Sequence, residues 1–205
     1  MLACLTGFLP ALNSSEHLDI QLASTQNEYD SCERFVPPKF LKALLSCRKT
    51  LKTLRVEYDG RHKFIQDVND EDYRAPFGSF EKFPVLRHLM VRHPDPRRIN
   101  SGYESEPIVD HYKPLADTLP DILQTLEIKD IKEEFHPELL EELSKLVKQR
   151  YALVELERVT LYLEEIEKDP VQFLSQECEA RGIILSVGSV KAYEEKKWQE
   201  MDRSC

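Results

Sequence analysis

With 205 residues, 41% of them hydrophobic, the chain is long enough to bury the core of one domain. Its 28 Lys and Arg against 37 Asp and Glu leave a net charge of −9, which repels phosphate backbones and argues against nucleic acid as a partner. No run reaches the roughly 18 apolar residues of a membrane span, so a membrane is not an expected partner either.

The first segment, MLACLTGFLPAL, lacks a basic start and is broken by Pro10, unlike a secretory signal. Leu5, Phe8, Leu9 and Leu12 fall at i, i+3, i+4 and i+7, which predicts an amphipathic helix facing a core. A short alternating stretch, HLDIQ, follows as a strand, and PKFLKALLSC over 38–47 reads as a helix.

Next comes the first clear copy of a pattern, Leu51-x-x-Leu54-x-Val56. It returns as Leu86-x-x-Leu89-x-Val91 and Leu123-x-x-Leu126-x-Ile128, with starts 35 and 37 residues apart. Within each copy apolar and polar residues alternate, as in Leu54, Arg55, Val56 and Glu57, the period of a strand with one buried face. The intervening stretches 61–78 and 93–114 are rich in Asp, Arg, Pro and Asn and read as exposed loops that lengthen the repeat.

The segment HPELLEELSKLVKQR, 136–150, puts Leu139, Leu140, Leu143, Leu146 and Val147 on one helical stripe, with Pro137 in the first turn. A weaker copy, Val154-Glu155-Leu156, is expected after it. A further helix over 169–181, with Asp169 as its cap, should stop at Gly182 before a strand at 183–187. The highly charged 191–205 reads as a terminal helix or tail.

Strands that recur after helices, without hairpin turns between them, predict a parallel sheet. The expected fold is an α/β leucine-rich-repeat-like solenoid of about six irregular units over 1–190, with the sheet on the concave face and helices on the convex face.

The phrases FEKFPVLRHLMV, LPDILQTLEI and CRKTLKTLRVEYDG, with LSQECEARGIILSV near the end, resemble the leucine-rich repeats of fungal-type F-box proteins. The resemblance spans roughly residues 5–187 and implies a non-enzymatic module that binds a protein, as the substrate-recognition part of a ubiquitin-ligase receptor does. Two features of the family are missing. The turn positions that carry its asparagine ladder hold Asp59, Pro94 and Ile131, and the helical F-box that would dock a Skp-type adaptor is not recognised before the first repeat.

In such a solenoid the concave strand positions form the binding face. They are Thr53, Arg55 and Glu57; His88, Met90 and Arg92; and Thr125, Glu127 and Lys129. Asp19 and Gln21 extend the face on one side, Glu155 and Glu157 on the other. Aligned strands put Arg55, Met90 and Glu127 in one column and Glu57, Arg92 and Lys129 in the next, an arrangement suited to cross-strand ion pairs.

No phosphate loop, GxSxG or HExxH occurs, so no catalytic residue, cofactor or metal site is expected. His88 and His93 would face opposite sides of a strand, and the basic run from Arg92 to Arg98 reads as a solvated loop. Cys4, Cys32, Cys47, Cys178 and Cys205, an odd and scattered set, suggest reduced thiols and a cytoplasmic or nuclear location. The competing reading is a small α/β enzyme, which would need polar groups converging in a crevice at the strand ends.

Overall fold

Each copy of the pattern becomes a strand because its alternate apolar residues can all be buried on one side of a sheet. In the computed structural model, which describes residues 14–22, 37–58, 79–92, 115–131, 133, 136–149, 153–164 and 168–193, six strands form. They are β1 (His17–Leu22), β2 (Thr53–Tyr58), β3 (His88–Arg92), β4 (Thr125–Ile131), β5 (Arg158–Leu163) and β6 (Ile184–Ser189). All pair parallel, in the order β1-β2-β3-β4-β5-β6, so each unit adds one strand to the same edge.

Among the described residues the helices between strands pack on the core side of the sheet: α1 (Pro37–Leu44), extended by a 3-10 turn at Leu45–Cys47; α2 (Leu115–Thr118); α3 (His136–Lys148); and α4 (Lys168–Ala180). Between β2 and β3 the described residues form turns, and Phe80 and Phe83 fill the layer there with ring centroids 6.1 Å apart. This is the curved α/β solenoid that the repeat predicts.

The pattern's leucines build the core. Leu54, Val56, Leu89, Val91, Leu126, Ile128, Val159 and Leu161 point from the sheet toward Phe40, Leu44, Leu139, Leu143, Leu146, Leu174 and Cys178 on the helices. The leading residues Leu51, Leu86 and Leu123 are fully buried beneath the strand starts. Burial of each such side chain contributes about 1.5–3 kcal/mol.

A main-chain ladder stitches the units together at this level. The carbonyl oxygens of Glu16, Lys52, Arg87 and Gln124 each accept two amide N–H groups from the following unit, at 2.7–3.1 Å. The Glu157 carbonyl continues the series to Ile184 N–H at 2.8 Å.

One expected strand is displaced. Val154-Glu155-Leu156 is a turn, with Val154 79% exposed, and the strand starts at Arg158. The true copy is Leu156-x-x-Val159-x-Leu161, with Val159 where the earlier copies have leucine. Its leading Leu156 donates its N–H to the Leu153 carbonyl, repeating the turns of Leu86 on Phe83 and Leu123 on Pro120. Glu155 and Glu157 are therefore exposed flanking residues off the strand, and Arg158, Thr160 and Tyr162 take the places assigned to them.

The helical boundaries fall within a few residues of expectation. Gly182 ends α4 in the left-handed region at φ 72°, with its N–H on the Glu179 carbonyl. Asp169 lies inside the first turn of α4, not before it. The helix expected near the amino terminus, the loops 61–78 and 93–114, and residues 194–205 lie outside the described residues.

Candidate protein-binding face

Alternation leaves one side chain in two on the face opposite the crossing helices. In register across the sheet, the first row runs His17, Thr53, His88, Thr125, Arg158 and Ile184, and the second Asp19, Arg55, Met90, Glu127, Thr160 and Ser186. The strands thus bring Thr53, Arg55, Glu57, His88, Met90, Thr125, Glu127 and Lys129 onto one face, and the Arg92 backbone pairs in register with Lys129.

Neighbouring strands are tied through these side chains. His17 Nδ1 lies 2.9 Å from Thr53 Oγ1, and His88 Nδ1 lies 2.9 Å from Thr125 Oγ1, the same pair repeated two strands on. Arg55 Nε donates to the Met90 sulfur at 3.1 Å. The Arg55 guanidinium also sits 3.8 Å from Asp19 and 3.8 Å from Glu57.

β2 and β3 pair in register only as far as Arg55 and Met90, so the expected column Glu57–Arg92–Lys129 is joined only between its last two members. Lys129 instead reaches past β3. Its Nζ donates to Glu57 Oε1 at 2.9 Å and lies 3.9 Å from Glu127. A register shift between Ile128 and Ile131 sets two residues of β4 against Tyr162 of β5, a bulge that re-aims Lys129.

Glu57 and Lys129 are only 6% and 5% exposed, where open surface residues were expected. Two tyrosines close over them. Tyr193, on a helical turn after β6, donates its hydroxyl to Glu57 Oε1 at 2.6 Å and places its ring centroid 3.3 Å from Lys129 Nζ. Tyr162 packs edge-on to Tyr193 at 4.7 Å and lies 5.6 Å from the same ammonium. The result is a chain of alternating charge, Asp19, Arg55, Glu57, Lys129 and Glu127, with a cation held on aromatic faces at its centre.

The environment shifts these groups as burial dictates. Desolvation pulls the Lys129 ammonium below the usual lysine range, against the opposing pull of Glu57. Burial, reinforced by the bond to Glu57, pushes the Tyr193 phenol well above its ordinary range. Tyr162 is raised as well, by burial and then by Glu127.

The sequence reading missed both tyrosines. Tyr162 becomes visible once the copy is aligned from Leu156, since it then falls two positions after Thr160 on the same face. Tyr193 follows the last strand on a helical turn, and no periodicity of the repeat points to it.

Residues 11–174 match the family model of a leucine-rich repeat domain. The chain belongs to the leucine-rich-repeat family. Leucine-rich repeats are protein-interaction modules, and the sheet here carries the repeat past the matched region, through α4 to β6 at Ser189. No curated protein and no solved structure matches the chain. Among the described residues no helix is long and apolar enough to cross a membrane, and no group of three His, Cys, Asp or Glu is placed to hold a metal.

Proposed function

We propose that the chain holds a protein partner on the concave face of its sheet, in the manner of the substrate-recognition arm of an F-box ubiquitin-ligase receptor, in the cytoplasm or nucleus. The observation that carries this reading is the face itself: six parallel strands, stepping in one direction, present a continuous surface of mixed charge in which Asp19 and Arg55 stay about half exposed around a buried centre. Charged rims around a desolvated aromatic and ionic centre are the anatomy of protein-binding patches. The monotonic strand order offers no point at which crossovers reverse, the place where open α/β enzymes build their crevice.

Affinity capture followed by mass spectrometry tests it. Proteins captured by the wild-type chain are expected to be lost with Asp19→Arg/Thr53→Arg on the concave face and retained with Glu141→Arg on α3, which faces away. Equal capture by all three would overturn the reading. The receptor component has its own test: an in-frame F-box in the genomic sequence upstream of Met1, and co-purification of a Skp-type adaptor with the protein expressed from its own locus.

A further inference from the structure

The centre of the concave face is occupied by the chain itself. Ser189, the last residue of β6, accepts the Ala192 N–H on its Oγ at 3.1 Å and opens a helical turn over residues 190–193. That turn returns Tyr193 to Glu57, 136 positions earlier in the chain.

The groups around the ring read three of its properties. The Glu57 carboxylate accepts a donor at the ring's tip, the Lys129 ammonium meets its electron-rich face, and Tyr162 meets its edge. Gly188, in register with Tyr162, completes the fit: a Cβ there would come within 3.3 Å of the Tyr162 ring. A plug needed only for stability would be served better by apolar groups, since burying a charge pair gives little net stability over a hydrophobic replacement.

Around the ring the segment is open to solvent. Lys191 and Ala192 are exposed, and backbone with few buried contacts belongs to the parts of a fold that open locally at small cost. Tyrosine, moreover, is among the residues that most often anchor protein interfaces.

We propose that the Glu57–Lys129–Tyr162 slot is the anchor for a tyrosine of the protein partner, and that Tyr193 fills it in cis until the partner's ring replaces it. This rests on the concave face being the binding surface. The chemistry selects a neutral phenol. Phenylalanine brings no donor for Glu57, and a phosphorylated ring would set its charge against Glu57 and Glu127.

The test uses the full chain with 4-methylphenol and toluene as probes, titrated by NMR. Tyr193→Ala is expected to bind 4-methylphenol at least tenfold more tightly than the wild type, and to prefer it about tenfold over toluene, the value of one hydrogen bond to a charged group. Adding Glu57→Gln should erase that preference. Equal binding by wild type and Tyr193→Ala, or no preference for the phenol, would overturn the proposal.

Should Tyr193→Ala fail to fold, Tyr193→Phe decides the matter. Loss of its hydroxyl should speed amide exchange at residues 191–193 about tenfold, and unchanged exchange would sink the idea. The probes need no partner, so the slot and the binding face fail separately: partner capture by the concave face without phenol binding overturns the slot alone.

Discussion

Glu57 and Lys129 each depend on the other for burial. Removing one takes from the other its closest opposite charge beneath two tyrosines, leaving only longer pairs of 3.8 and 3.9 Å, and Lys129→Met is expected to cost about 3 kcal/mol in urea unfolding. The double replacement Glu57→Leu/Lys129→Met should recover most of that loss, whereas additive losses would show that the two charges act independently. Tyr193 supplies a pH signature. The folded state holds its phenol proton more tightly than the unfolded chain does, so its contribution is complete below the ordinary tyrosine value near pH 10 and fades as pH rises beyond it. Wild-type stability should therefore fall more steeply above about pH 10 than that of Tyr193→Phe, and parallel curves would contradict the docked geometry. At this scale the sequence was half legible. Strand alternation alone put Arg55, Glu57, Glu127 and Lys129 on one face, but which of them would be covered depended on a bulge and a distant tyrosine that follow from packing, not periodicity.

Among the elements, the long helices were the most readable, because Leu139, Leu143 and Leu146 on α3 repeat at helical spacing over about two turns. β5 was read out of place because Val154, Glu155 and Leu156 mimic an alternating strand, while Val159 breaks the leucine signature of the real one. Gly182 bears the helix-to-strand turn before β6. A Cβ there would meet nothing within 4 Å, so Gly182→Ala should cost only the left-handed backbone, about 1 kcal/mol by thermal unfolding. A loss of several kcal/mol would reveal a hidden clash. Where the described residues before β3 form turns, Phe83 fills the core and Phe83→Ala should cost about 3–5 kcal/mol. On α4, burial pushes the Cys178 thiol up to about 11, and the side chain is 1% exposed. Its alkylation by iodoacetamide at about pH 8 is expected to keep pace with unfolding; rapid labelling of the native protein would show the helix opening on its own.

Over the whole molecule, units that touch mainly their neighbours predict graded opening. Amide exchange should be slowest in β3 and β4 and faster in β1 and β6, which each have one strand neighbour among the described residues. Uniform protection would mean the solenoid unfolds as a single block. The overall architecture was legible because three copies of one phrase at nearly equal spacing admit few folds. The absence of the asparagine ladder was also legible, but its replacement was not: at Ile131 the turn carbonyl is met by the Nε2 of His136 at 3.0 Å and by the Glu164 amide at 3.0 Å.

The carbonyls of Glu16, Lys52, Arg87 and Gln124, each gripping two amides of the next unit, place the joint between units in atoms that every sequence possesses. Side chains only add to the joint, as Lys52 does on the Glu16 carboxylate at 2.8 Å, and substitution cannot remove its main-chain bonds short of proline. Loops of different length can then be spliced between strands without shifting the rows of the face. A lineage built on this joint can redraw what it recognises while its frame stays fixed.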